Sequence, residues 1–222
     1  IPSEVTDLKG GWCACANNLK SIKVSPSNPR YCCLEEKIVI GKETLESNKY
    51  EHLISCVQGI KTITIPNSIK CIYSFSFTRI SISSITIPSE VRIIGKYAFF
   101  LCLQLQQIKF SNESKLQVIE DNAFSGTSIS NFSIPSEVKI IGKNVFDQCT
   151  KLQRIEFSEK SKCQTIEERA FCASSIESVS IPGEVRRIGN YAFSYCSKLQ
   201  IIEISDNSKL DSIDIASICL KS

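Results

Sequence analysis

The chain has 222 residues, 42% of them hydrophobic and 22% charged, with a formal net charge of +3. That is enough for one large domain or one elongated repeat array, and the interspersed charges exclude a dedicated nucleic-acid binder, which concentrates basic residues on one face. A single His (His52), a single Trp (Trp12) and no Met argue against histidine-based hydrolase and zinc chemistry, and no apolar run reaches the eighteen residues of a membrane-spanning helix.

Residues 1–24 read as a first coil. Ile1-Pro2-Ser3-Glu4-Val5 opens it, and Leu8, Trp12, Cys13, Ala16, Leu19, Ile22 and Val24 follow at spacings met again downstream. Trp12 stands where later coils carry Ala, so it is expected in the core at the end of the array. No cleavable leader is visible, and the chain reads as a mature form or an excised fragment. Residues 25–68 form an irregular insert coil. His52 falls here and is expected on a surface loop. The segment closes on a strand-like alternation, Ile60, Ile63 and Ile65, followed by Pro66.

From residue 69 the self-similarity is regular, and it takes precedence over any other reading of the fold. Pro88, Pro135 and Pro182 sit in Ile-Pro-Ser-Glu-Val, Ile-Pro-Ser-Glu-Val and Ile-Pro-Gly-Glu-Val, one every 47 residues, and each 47 is a long coil of 25 plus a short coil of 22. The first short coil is Ile69, Ile72, Ser76, Phe77, Ile82, Ile85, Ile87. The long coil that follows is Val91, Ile94, Gly95, Ala98, Phe99, Cys102, Leu105, Ile108, Phe110. The pair returns as Leu116 to Ile134 and Val138 to Phe157, then as Cys163 to Ile181 and Val185 to Ile204. Another short coil begins at Leu210 and Ile213 and then loses its Phe, so residues 205–222 are read as an incomplete last coil. With the insert counted once, about nine coils are expected.

A coil of this length cannot bury its own apolar side, whereas stacked coils share one continuous core. Alternating pairs such as Ile108 and Phe110 predict a short strand with one buried face, and each following Pro ends it because it cannot donate a ladder hydrogen bond. Stacked coils should lie about 4.8 Å apart. Phe77, Phe99, Phe124, Phe146, Phe171 and Phe193 should then form one internal column.

The pattern Ile-Pro-x-x-Val-x-x-Ile-Gly-x-x-Ala-Phe-x-x-Cys-x-x-Leu-x-x-Ile-x-Ile resembles the BspA-type leucine-rich repeat, found on surface proteins of anaerobic bacteria and parasitic protists. The match covers almost the whole chain. It implies a leucine-rich-repeat solenoid, horseshoe-like and right-handed, strand-dominated with little helix, as a single domain over residues 1–222. It also implies a cell-surface or secreted protein that adheres to host-cell or extracellular-matrix proteins. The short coils depart from the family pattern: Glu120 and Glu167 replace Gly95 and Gly142, and a position that accepts Glu does not demand positive φ.

In such a solenoid the residues between the buried strand positions point outward. The candidate partner-binding positions are Lys23, Thr64, Thr86, Gln107, Lys109, Asn131, Arg154, Glu156, Ser178 and Glu203, on an extended concave face with charged anchors at Lys109, Arg154, Glu156 and Glu203. The competing reading is a solvated strand face that needs only to be polar. A second candidate is the apolar column Ile93, Val118 and Ile140, either an exposed stripe able to bind a partner or lateral packing within a strand on the other side; the packing reading is preferred.

The chain has 12 Cys. Cys102, Cys149 and Cys196 share one repeat position two coils apart, roughly 9–10 Å on strand spacing, beyond the roughly 7 Å reach of a disulfide. They are read as buried thiols, whereas Cys13, Cys15, Cys32, Cys33 and Cys56 crowd the N-terminal third, where a bridge stabilising the end coil is one reading and the sequence leaves the disulfide state open. Neither these residues nor the separated Glu120 and Glu167 make a metal pattern, and no phosphate loop, nucleophile elbow or metalloprotease motif is present. Asn112 and Asn131 lie in Asn-x-Ser acceptors for glycan. The expectation is a non-enzymatic protein-binding module with no cofactor, no metal and no nucleic-acid partner, and with membrane association only through regions outside this chain. The alternative is an intracellular leucine-rich-repeat scaffold for a protein partner.

Overall fold

The computed structural model describes residues 1–14, 16–61 and 63–214. These residues form sixteen strands and no helix. Seven strands have two residues each: β4 (Cys71–Ile72), β6 (Ile93–Ile94), β8 (Val118–Ile119), β10 (Ile140–Ile141), β12 (Thr165–Ile166), β14 (Arg187–Ile188) and β16 (Ser212–Ile213). Six have four residues each: β5 (Ser84–Ile87), β7 (Gln107–Phe110), β9 (Asn131–Ile134), β11 (Arg154–Phe157), β13 (Ser178–Ile181) and β15 (Ile201–Ile204). Each coil contributes one short strand to a parallel stack on one side and, from β5 on, one long strand to the opposite stack. The short-strand stack counts about seven turns, fewer than the nine expected.

The difference lies at the N-terminus. β1 (Tyr31–Leu34), β2 (Ile38–Lys42) and β3 (Tyr50–Cys56) form an antiparallel meander, and β3 then pairs in parallel with β4. The turn between β1 and β2 has Glu35 and Glu36 at φ 50° and 55°, the mirror-type turn that matches the twist of a hairpin. Because glutamates rather than Asn-Gly supply it, the turn carries no sequence signal. The described residues of 1–24 contain no strand. They are tied to the meander by the buried Asn28, whose side-chain nitrogen donates to the carbonyls of Pro2 (2.6 Å) and Val5 (3.0 Å). Trp12 is 40% exposed and is not core. Ile60 and Ile65 are buried, yet the described residues around them join no ladder. His52 is in β3 rather than a loop, half-buried, with its Nδ1 3.0 Å from the Tyr73 hydroxyl. The recurring apolar spacing ends at Leu210 and Ile213, of which Ile213, in β16, pairs with Ile188 of β14; residues 215–222 lie outside the described residues.

The expected core column is present. Phe77, Phe99, Phe124, Phe146, Phe171 and Phe193 are completely buried. They stack in that order with ring centroids 4.8, 5.2, 5.6, 5.4 and 5.3 Å apart and planes within 12° of parallel. The coil repeat sets one ring per coil near the strand spacing, and that spacing is also a favourable offset-stacking distance.

The third side of each coil, around these Phe residues, carries a backbone feature that no residue type announces. Phe75, Tyr97, Asn122, Asn144, Arg169 and Tyr191 all have positive φ, and so do Arg79, Leu101, Gly126, Gln148, Ala173 and Tyr195 four residues later. The amides of such a turn point at the next coil: Tyr97, Phe99 and Leu101 donate to the carbonyls of Asp121, Ala123 and Ser125 at 3.0, 2.8 and 2.9 Å. The left-handed conformation costs of order 1 kcal/mol at each non-glycine residue, and these inter-coil bonds offset it.

Gly95, Gly142 and Gly189 meet a different need. An added Cβ would lie 2.7, 2.8 and 2.6 Å from the backbone nitrogens of Ser74, Asp121 and Glu168. Glycine there lets a long coil close onto the short coil before it, without positive φ. Cys102, Cys149 and Cys196 are buried thiols, as their spacing indicated. Each donates S–H to the carbonyl of the Phe in the preceding short coil, Phe77, Phe124 and Phe171, at 2.9, 3.1 and 3.1 Å. Cys13, Cys32, Cys33 and Cys56 are free thiols; Cys15 lies outside the described residues.

Candidate functional site: the long-strand side

Of the six long strands, β5, β9 and β13 bury alternate residues and expose the others, whereas β7, β11 and β15 cover their inward residues only in part. Phe132, Ile134, Val179 and Ile181 point inward, whereas Asn131, Ser133, Ser178 and Ser180 point out. In register, the outward residues face one another as Ser84 and Gln107, Thr86 and Lys109, Asn131 and Arg154, Ser133 and Glu156, Ser178 and Ile201, and Ser180 and Glu203. Eight of the ten candidate positions, from Thr86 to Glu203, therefore share one exposed surface. Lys23 and Thr64 are exposed too but lie outside any ladder.

Side-chain chemistry alternates along this surface. Short coils supply hydroxyls and the Asn131 amide, and long coils supply longer side chains, four of them charged (Lys109, Arg154, Glu156 and Glu203). The Ser133 hydroxyl donates to Glu156 Oε2 at 3.3 Å, and Ser180 donates to Glu203 Oε2 in the equivalent place one repeat pair later. Arg154 lies 3.5 Å from Glu156. Lys109 has no carboxylate partner among the described residues. Ile201 stands in the register position of Arg154 one pair on and is 52% exposed, an apolar position within the face that the charge pattern had hidden.

The surface is not one continuous sheet. The long strands split into a two-stranded sheet, β5-β7, and a four-stranded sheet, β9 to β15. From residue 84 to 107, 131 to 154 and 178 to 201 the step between strand starts is 23 residues, and all four residue pairs are in register. From 107 to 131 and from 154 to 178 the step is 24. There β7 and β9 do not pair, and β11 and β13 share only Arg154 with Ser178. One extra residue per pair of coils is thus absorbed by opening the ladder.

Two clefts mark these openings, at the C-terminal ends of the strands. The first, about 530 Å³, is lined by Phe110, Ser111, Ser133, Ile134 and Pro135 among others. The second, about 390 Å³, is lined by the residues 47 positions later, Phe157, Ser158, Ser180, Ile181 and Pro182. Phe110 and Phe157 are half-buried and form the floors.

On the opposite side, Ile93, Val118 and Ile140 are direct cross-strand neighbours. Ile93 and Ile140 are 37% and 41% exposed. A two-residue strand buries only its second member (Ile94, Ile119 and Ile141 are fully covered), so the first faces outward. The packing expected for this column is therefore corrected to an exposed stripe.

Burial governs the ionisable groups. It pushes the thiols of Cys102 and Cys163 up to about 12 and that of Cys149 up to about 11, so they remain protonated at neutral pH. It lowers His52, with the nearby carboxylates of Glu43 and Glu51 acting the other way. Among the described residues no three His, Cys, Asp or Glu side chains gather as metal ligands, and no helix is long and apolar enough to cross a membrane.

Stacked parallel strands on two sides, with a shared Phe column between them, define a leucine-rich-repeat solenoid whose exposed strand side is its natural contact surface. The BspA type leucine rich repeat region matches residues 30–138 and 117–219 in six copies, and the chain belongs to that family. The fold is similar to that of the pneumococcal vaccine antigen PcpA, with a TM-score of 0.66 and 22% identity, covering 85% of this chain and 51% of that one. It is also similar to a leucine-rich repeat protein from Eubacterium ventriosum (TM-score 0.62, 20% identity, 96% and 55% covered) and to a leucine rich cell surface protein from Faecalibacterium prausnitzii (0.54, 19%, 87% and 56%). The chain spans about half the length of these structures. A comparison with curated proteins finds no match.

Proposed function

We propose that this chain is a non-enzymatic adhesion module, displayed on a cell surface or secreted, that binds a host-cell or extracellular-matrix protein through its long-strand side. The observation that carries the reading is the exposed long-strand side, on which eight of the candidate residues lie over six coils in two adjoining sheets. A rigid, repeated surface binds proteins with little ordering cost, and the unpaired Lys109 and the Arg154–Glu156 pair offer charges of both signs to a partner. The surface setting of one structurally similar protein, a leucine rich cell surface protein, supports the location. A non-enzymatic role is supported by the chemistry of the nucleophiles: the buried thiols are held protonated, and His52 is occupied by Tyr73.

The test is binding of the purified chain to intact host cells and to immobilised matrix extract. Saturable binding is expected, at least ten-fold weaker when Lys109, Arg154 and Glu156 are replaced together by Ala. A folded triple variant that binds normally would sink the reading. The free thiols among the described cysteines favour a second reading, an intracellular scaffold for a protein partner. A thiol count on the denatured chain, without reductant, separates the two: a bridge involving the N-terminal cysteines favours export, and twelve free thiols favour the scaffold.

A further inference from the structure

The apolar stripe on the short-strand side has borders of opposite charge. Ile93 and Ile140 flank Val118 in register across β6, β8 and β10, and the stripe ends at Cys71 of β4 and Thr165 of β12. The residues just before the three central strands, Arg92, Gln117 and Lys139, are exposed and form one border. Those just after them, Gly95, Glu120 and Gly142, form the other, three residues or about 10 Å away. Arg92 and Lys139 make no ion pair among the described residues, because the carboxylates on their side, Glu90 and Glu137, are held by Lys115 and Lys162 at 2.5 and 2.7 Å. Glu120 makes none either, and one of its oxygens accepts the Lys96 amide at 3.0 Å. Lys96 and Lys143, beyond that border, are answered by Asp121 and Glu168 at 3.0 and 3.3 Å. The face is therefore apolar in the middle, cationic along one border and anionic at the centre of the other.

Such a face complements itself under one of two rotations. A two-fold axis parallel to the solenoid axis keeps each coil level with the same coil of a second copy and exchanges the borders. Val118 then meets Val118, and Gln117 meets the second copy's Glu120. Arg92 and Lys139, one coil or about 4.8 Å to either side, come opposite Gly95 and Gly142. Those glycines have no side chain to fill the space, which leaves both cations free to turn to the same Glu120. A two-fold axis across the coils instead sets Arg92 against Lys139 and Glu120 against Glu120. The match fades away from the centre. Lys70 is taken by Glu51 at 2.8 Å, Glu167 and Asp214 are answered by Arg187 at 3.5 and 2.9 Å, and Asp211 would face Asp214.

We propose that this chain pairs with a second copy of itself through β6, β8 and β10, the two solenoids side by side and running in the same direction. The contact is isologous, with apolar area in the middle and the crossed charges fixing its orientation. It spans few coils, so the dimer is weak and exchanging, and it leaves both long-strand sides uncovered.

Sedimentation equilibrium of the intact chain over a wide concentration range is the test. A reversible dimer is expected, dissociating at micromolar or higher concentration. Ile93→Lys with Ile140→Lys should weaken it by about ten-fold or more, whereas the same added charge on the long-strand side, Thr86→Lys with Ser178→Lys, should leave it unchanged. Glu120→Lys should also weaken it, and adding Arg92→Glu and Lys139→Glu to Glu120→Lys should recover most of the loss, because the borders again oppose. Circular dichroism checks that each variant folds; the charge exchange alters only side chains at the strand ends, so it decides the matter even if the paired lysines in the stripe disrupt folding. A monomer at every concentration, a dimer indifferent to the lysines in the stripe, a dimer lost with lysines on the long-strand side, a Glu120→Lys dimer as tight as the original, or a charge exchange that recovers nothing overturns the proposal.

Discussion

Gln148 shows how this chain places demands on residues that look ordinary. It is exposed, its φ is 58°, and its amide donates to the Cys172 carbonyl in the next coil at 2.9 Å. Gln148→Gly removes the left-handed strain and enlarges the unfolded ensemble, so the two effects nearly cancel, within about 1 kcal/mol. Gln148→Val adds a β-branched side chain that resists positive φ, and it should cost about 1–2 kcal/mol; thermal melting of the two variants side by side checks the difference. The buried thiols give a pH-dependent counterpart. Their folded values of about 11 to 12 lie above the ordinary 9.0. The unfolded chain therefore loses these protons first as pH rises. Their stabilising contribution is full below pH 9 and disappears between pH 9 and 12. Denaturant midpoints should fall between pH 8 and pH 10.5, and they should fall less in a chain with Cys102, Cys149 and Cys163 replaced by Ala.

The Phe column is the element that makes the coils interdependent. Phe124 stacks on Phe99 and Phe146 and also touches Phe132 at 5.2 Å between centroids. Phe124→Ala should therefore cost roughly 3–5 kcal/mol, the upper range for emptying a buried aromatic site. Phe193 stacks only on Phe171 among the described residues, and Phe193→Ala should cost less; urea denaturation of both variants checks the order. The ion pairs that stitch coil edges, Lys162 to Glu137 at 2.7 Å and Lys209 to Glu184 at 2.6 Å, are at least a third exposed and contribute about 0–1 kcal/mol each. The column, not the charges, holds the stack.

Across the molecule the true repeat is the pair of coils, because only a 47-residue step restores both the ladder openings and the close approach of Gly95, Gly142 and Gly189. Deleting residues 111–157, which joins Phe110 to Ser158 in the place of Ser111, should leave a folded solenoid with an unchanged far-UV spectrum and a lower denaturation midpoint. Deleting residues 111–134 alone sets two long coils against each other and should cost more stability for fewer residues removed. Equal midpoints would show that single coils are interchangeable.

The spacing of Val91, Ile94, Phe99 and Cys102 and its recurrence were enough to read the solenoid, its Phe column, its buried thiols and the exposed positions from Thr86 to Glu203. Each follows from which side chains must leave water, and that is written in residue type and period. The count of coils, the meander at Tyr31–Cys56, the half-burial of His52, the left-handed turns and the two clefts were not readable in this way. They depend on how backbone amides of one coil meet carbonyls of the next: a turn made by Glu35-Glu36, a strain accepted by Tyr97 or Gln148, and one surplus residue per coil pair absorbed by an open ladder. Those are contacts between distant parts of the chain, and no local run of residues encodes them.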